Sequence, residues 1–405
     1  MTAQGVGGIP VQLVQLTAED GALSRGAFFR PEGGTARVGV HLMHPRADSS
    51  ASYVIGPLVA VGCAVLARSS RSPNNDTMVT QEQLLLDVAA GVTFLREAGC
   101  HHVILLGLSS GASVAAFYQA EARAAIGARL RETPAGDAFD LNGFSMPPAD
   151  AIISLCGHGG LGWVMAKLID PSVTDENDPL SCDPELDLYD PRNGFKTPPE
   201  SSRYTPTFLE RYRAAQRERV KRIDLRARQW LAAGAAARAD LKAGGQDMQR
   251  TERAAVLQPA MIIYRTSADP AFVDLNIEPD NRPFGSYQSQ RPDRDNYGTG
   301  GFARFTTPRG WLSTWSLFSS NALQERNLPR FWDPFLMVHG QADLSTRLSE
   351  AAALFEFAVS HDRTFRSVAT LTHFGRTLKP DGTQGGPSME ACDLVVKWIH
   401  ERFRV

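Results

Sequence analysis

The chain has 405 residues, 43% of them hydrophobic, and a formal net charge of −2. That length buries a large core and suits two or three domains, or one elaborated domain. The near-neutral balance leaves no basic footprint for nucleic acid or an anionic membrane, and no apolar run is long enough for a transmembrane helix. Five scattered cysteines, an odd number without a C-x-x-C pair, speak against a disulfide framework and a structural zinc site. The start MTAQGVGGIPVQLVQ has neither a basic region nor a long apolar stretch. These features predict a soluble cytoplasmic protein whose partner is a small molecule, with the oligomeric state left open.

In chain order, three β-rich runs come first: VQLVQLTA, ALSRGAFFR and ARVGVHLM. The turn signals EDG and PEGG between them predict an antiparallel start. SYVIGPLVAVG then reads as a helix and GCAVLARSS as a buried strand. Residues 81–97 carry apolar side chains at helical spacing and stop at Gly99. VILLGL reads as a buried strand, the Ala-rich segment after Gly111 as a helix, and ADAIISLC as another strand. Strands alternating with helices predict a mostly parallel, doubly wound α/β sheet covered on both faces.

From about Gly157 to Asp333 the rhythm breaks into Pro-, Asp-, Arg- and aromatic-rich sequence. A helix over 206–232 is predicted there, with Phe208, Tyr212, Val220, Ile223, Ala227, Trp230 and Leu231 close to one face. Its arginines, including Arg211, Arg213, Arg217, Arg219 and Arg228, read as a solvated face; the functional alternative is a grip on an anionic substrate group. The sheet pattern resumes with PFLMVHG, a helix over 344–360, the strand TFRSVATL and a terminal helix. A core interrupted once describes an inserted, mainly helical cap over 161–333, with the core in two parts, 1–160 and 334–405.

Gly107-Leu-Ser109-Ser-Gly111 fits G-x-S-x-G, a strained strand-to-helix turn that lifts a serine hydroxyl clear of a sheet. The flanking glycines suit a turn where strand and helix backbones approach too closely for a Cβ. On this motif, on Asp343 in VHGQADLST and on His373 in VATLTHFGR, the chain resembles the α/β-hydrolase family. The resemblance implies chain order Ser, acid, His, with Ser109 as nucleophile, Asp343 as acid and His373 as base. Asp269, after the strand-like AMIIYRTSADP, is the competing acid.

A serine hydroxyl needs His373 to accept its proton, and Asp343 to fix the imidazole tautomer. The backbone N–H of Ser110 is the first expected oxyanion donor. The second should come from the loop after the third strand, here His44-Pro45-Arg46. Proline has no N–H, so Arg46 is the candidate, with His44 shaping the loop or touching substrate. His158 marks the exit to the cap, and His101 and His102 read as solvated. Trp311, Trp315 and Phe318 read chiefly as packing, with Trp311 and Trp315 as candidate pocket walls. No metal-ligand cluster and no cofactor is implied. The resemblance implies hydrolysis of a carboxylic ester through an acyl-enzyme. Amide or carbon–carbon bond hydrolysis, acyl transfer, and a catalytically silent binding protein remain the alternatives.

Overall fold

The computed structural model describes residues 3–4, 8–244, 247–403 and 405. Among the described residues thirteen strands form: β1 Ala3–Gln4, β2 Pro10–Thr17, β3 Leu23–Phe29, β4 Val38–His44, β5 Ala64–Ser69, β6 His102–Leu108, β7 Ala151–Leu155, β8 Met261–Ile262, β9 Phe305–Thr306, β10 Phe335–Ala342, β11 Arg363–Thr372, β12 Arg376–Leu378 and β13 Gln384–Pro387. Eleven of them make one sheet in the order β1-β2-β3-β5-β4-β6-β7-β10-β11-β12-β13, and β8 pairs with β9 apart from it. From β5 to β11 every pairing is parallel. The flanking pairs are antiparallel.

The strands alternate because both faces are covered. Val103 and Leu105 on β6 enter one apolar cluster, and Ile104 and Leu106 enter the other. Helices α2 (Gln81–Glu97) and α3 (Gly111–Arg123) close the first face through residues such as Leu84, Leu85, Val92 and Phe117. Helix α1 (Ile55–Ala60) and the helix Met389–Phe403 close the second through Leu58, Val395 and Trp398. Full burial of one such side chain stabilises by about 1.5–3 kcal/mol. The antiparallel start holds for β2 and β3 only: β3 pairs with β5, and β4 runs parallel inside the sheet. Two short strands, β12 and β13, follow His373 where the sequence pattern offered none.

Between β7 and β10 the chain leaves the sheet, and it returns beside the strand it left, Phe335 opposite Ile152. This insertion holds α4 (Leu161–Leu168), α5 (Pro206–Ala243), α6 (Met248–Val256) and the β8–β9 ribbon. Thr205 caps α5 by accepting the Phe208 N–H, Pro206 opens it, and left-handed Gly244 ends it. The buried stripe Phe208, Tyr212, Gln216, Arg219, Val220, Ile223 and Ala227 follows helical spacing, but Trp230 is exposed and the helix runs past 232 to Ala243. Among the described residues, no helix is long and apolar enough to cross a membrane.

Candidate active site

The parallel strands deliver their carboxyl ends to one sheet edge, and the candidate residues sit there. Ser109 follows β6 in the left-handed region, φ 54°. The glycines explain how the chain makes that turn: a Cβ on Gly107 would lie 2.2 Å from the Ala112 nitrogen, and one on Gly111 would lie 2.6 Å from the Met43 carbonyl oxygen. The backbone strain of a non-glycine at positive φ is held by a hydrogen bond from the Ser109 N–H to the Leu155 carbonyl, 3.2 Å.

Ser109 Oγ lies 2.9 Å from His373 Nε2. His373 Nδ1 lies 3.1 and 3.0 Å from the two carboxylate oxygens of Asp343. Nδ1 therefore carries the ring proton, and the Nε2 lone pair faces the serine hydroxyl. Asp343 Oδ1 also accepts the N–H groups of Ser345 and Thr346, at 2.7 and 3.1 Å. Burial pushes this carboxyl up, but His373, His339 and the Thr346 amide outweigh it and hold it below the usual range. Asp269 is elsewhere. It accepts from Ala271 N–H and is buried against Arg213, 2.5 Å, with Lys167 and Arg347 each at 3.9 Å.

The oxyanion expectation meets a correction at Arg46. Its N–H points at His44 Nδ1, 3.1 Å, and the Ala47 N–H reaches the same nitrogen at 2.8 Å. The Arg46 amide is thus already engaged. Its guanidinium instead pairs with Asp76 at 2.6 and 2.9 Å and lies over the Phe302 and Trp315 rings, 5.0 and 5.3 Å from their centroids. Ser110, which caps α3, bonds through Oγ to His44 Nε2 at 2.7 Å. Burial, then Arg46 and His373, push His44 down to about 3. Its ring is neutral across the ordinary pH range.

A cavity of about 570 Å³ opens over Ser109 and His373, within the size range of small-molecule sites. His44, Ser110 and Arg46 line it from the core, and Leu161, Val164, Tyr287 and Phe302 from the insertion. Trp311 and Trp315 are not in its wall. Trp311 is buried with its indole N–H donating to Asp224, 2.6 Å, and Trp315 stacks behind Phe302, ring centroids 6.0 Å apart. The α5 arginines do not line it either, and one is far from solvated: Arg219 is fully buried, paired through two nitrogens with Glu176 at 2.8 and 2.7 Å.

Two wall residues beside His373 have no site role on the sequence reading, in which His158 only marks the exit to the cap. His158 is buried beside His373, its ring nearly parallel at 6.4 Å between centroids. Its Nδ1 accepts the Gly160 N–H, 3.1 Å, so the proton sits on Nε2, which has no hydrogen-bond partner among the described residues. Tyr287 stands edge-on to His373, centroids 5.6 Å apart, with its hydroxyl bonded to Ser345 Oγ. CGHGG held a signal, a histidine immediately after a core strand; nothing marked Tyr287 within its turn-rich segment.

The order of the parallel strands, with a strained serine after the central one, decides the architecture. The fold is that of the α/β-hydrolases. Comparison with protein-family models and with curated protein sequences finds no match. Among solved structures, the chain is similar to DcsB in complex with its substrate analogue: TM-score 0.51, 13% identity, with 98% of this chain and 100% of that one covered. The α/β hydrolase GrgF from Penicillium sp. sh18 gives TM-score 0.49 and 13% identity, with 98% and 100% covered. The esterase domain of a Rhodothermus marinus protein gives 0.43 and 10%, with 96% and 98% covered. At such identities the DcsB likeness speaks for a shared fold alone, and the weaker two add nothing to it.

Proposed function

We propose that the protein is a serine hydrolase that cleaves a carboxylic ester of a small or medium-sized organic molecule through an acyl-enzyme. The observation that carries this reading is the unbroken hydrogen-bonded line from Ser109 Oγ through His373 to Asp343, opening on a cavity. In the first step the Ser109 oxygen bonds to the ester carbonyl carbon and its proton passes to His373 Nε2. The carbonyl π pair moves onto the oxygen, where the Ser110 N–H at the start of α3 donates to it. Collapse breaks the bond to the leaving alcohol, which takes the proton from His373. Water then repeats the sequence and frees the acid.

Asp343 holds the imidazole in the right tautomer and stabilises the imidazolium formed in the transition state. The insertion serves as a cap whose apolar walls, Leu161, Val164 and Phe302, receive the substrate and limit water. The test is a fluorophosphonate probe followed by a series of p-nitrophenyl esters, aryl esters and anilides. Stoichiometric labelling at Ser109 with ester turnover is the expected result. An unlabelled protein would make the fold a binding scaffold instead.

A further inference from the structure

We infer that the second oxyanion donor of this site is a side chain, the Ser110 hydroxyl, held for that role by His44; this rests on the hydrolase reading above. The argument is one of proton inventory. His44 Nδ1 accepts two backbone N–H groups, from Arg46 at 3.1 Å and Ala47 at 2.8 Å, so it holds a lone pair and no proton. The neutral ring must then carry its proton on Nε2, and the 2.7 Å contact to Ser110 Oγ is a donation from His44 to the serine. Ser110 Oγ is therefore an acceptor in that bond, and its own hydrogen has no acceptor among the described residues.

Ser110 is 1% exposed, and it lines the cavity beside Ser109. A buried hydroxyl hydrogen without an acceptor is costly unless something arrives to accept it. The group that arrives is the carbonyl oxygen of the substrate, most of all when it carries negative charge. Two donors on one residue would then meet it, the Ser110 N–H and the Ser110 O–H. No proton is transferred in this contact: the serine donates a hydrogen bond to the oxyanion while His44 Nε2–H donates to the serine oxygen and strengthens its acidity. The arrangement also accounts for the engaged Arg46 amide, which acts on the site through His44 instead of on the substrate. Among the described residues the Ser52 and Tyr53 hydroxyls and His158 Nε2–H also line the cavity without a partner, but none of them sits on the residue that carries the Ser110 N–H, and His158 stacks on the ring of His373.

The test uses the full chain and the rate at which a fluorophosphonate labels Ser109, since its P=O develops negative charge as a carbonyl does. Ser110→Ala keeps the backbone N–H and removes only the hydroxyl; labelling should slow about 10²-fold in a protein that still unfolds in a cooperative thermal transition. His44→Asn leaves an acceptor near the Arg46 and Ala47 amides but no donor for Ser110, and should slow labelling about tenfold. The double variant should be no slower than Ser110→Ala, because His44 acts only through that hydroxyl; independent structural losses would multiply instead. Ser110→Thr, which retains a hydroxyl, should recover most of the rate. Labelling of Ser110→Ala within about threefold of the parent chain, with Ser109→Ala unlabelled, overturns the inference and leaves the hydrolase reading standing. If Ser110→Ala does not fold, an unchanged rate in His44→Asn overturns it. A parent chain that never labels at Ser109 overturns the hydrolase reading itself, and this inference with it.

Discussion

The sheet and the insertion solve the same problem with different materials. In the sheet, side chains of alternate strand positions enter two apolar clusters, and the strands pair their backbone groups with one another. The insertion has short elements and long irregular stretches, so its backbone carbonyls need partners from side chains. Arg219 answers the carbonyls of Asp170 and Tyr264 at 2.6 and 2.9 Å as well as Glu176. Gln216 answers those of Lys167 and Ile169 at 2.6 and 2.8 Å, and Arg282 those of Ala271 and Asp274 at 3.2 and 3.0 Å. The lesson is a division of labour: strand pairing between two apolar layers sets the line of Ser109, His373 and Asp343, and smaller apolar clusters tied together by polar cross-links set the walls around it.

Removing chemistry from the sheet edge should therefore kill turnover without unfolding the protein. Ser109→Ala loses the nucleophile and a small hydroxyl; activity should fall about 10⁶-fold, with an unchanged melting curve. Residual covalent labelling of that variant by a serine-directed probe would move the nucleophile elsewhere.

The two buried aspartates sharpen the comparison. Asp343→Asn should cost about 10⁴-fold in kcat, because an amide cannot hold the His373 tautomer, while stability changes little. Asp269→Asn should leave kcat near the parent value and destabilise by about 3 kcal/mol, since Arg213, Lys167 and Arg347 lose a shared buried partner. Kinetics and denaturant midpoints measured on both variants separate the outcomes. A dead Asp269 variant with a healthy Asp343 variant would reverse the assignment.

Acid titration tests the insertion's cross-links directly. Burial pushes Asp269 up, but Arg213, Lys167 and Arg347 outweigh it and hold its carboxyl far below the ordinary 3.8. The unfolded chain therefore binds this proton first, so the carboxylate's contribution is fully present above pH 3.8 and fades as pH falls toward the folded value. In Asp269→Asn the acid limb of the stability curve should be flatter. An identical limb would place the acid sensitivity in other carboxylates.

Legibility in the sequence followed the same boundary. Helix 81–97 was legible to the residue, because its apolar spacing and Gly99 stop are local signals. Ser109, Asp343 and His373 were legible because each follows a core strand, and the structure brings all three together. Arg46 was not: proline's missing N–H is visible in sequence, but capture of the next amide by a ring two residues back is a matter of loop geometry. Arg219 of α5 misled for a related reason, while Arg211, Arg217, Arg222 and Arg228 are exposed as a solvated face requires. A charge run looks solvated until a carboxylate such as Glu176, far along the chain, turns up beside Arg219 inside the fold.

The smallest expected effect concerns specificity, and it separates a wall from what stands behind it. Phe302 lines the cavity, whereas Trp315 is stacked behind it and Arg46 lies over both rings. Phe302→Ala should enlarge the site directly, shifting the preference between short- and long-chain p-nitrophenyl esters by about tenfold, the scale of one or two methylenes in an apolar pocket. Trp315→Ala removes a fully buried indole and should cost about 3–5 kcal/mol in stability, with a smaller change in preference transmitted through Phe302. Labelling of Ser109 by a small phosphonate should persist in both, because neither ring touches the Ser109–His373–Asp343 line. If Phe302→Ala kept the parent's preference across the ester series, substrate choice would lie with the core side of the cavity, at Tyr53, Leu108 and Phe374, and the insertion would only shelter the site.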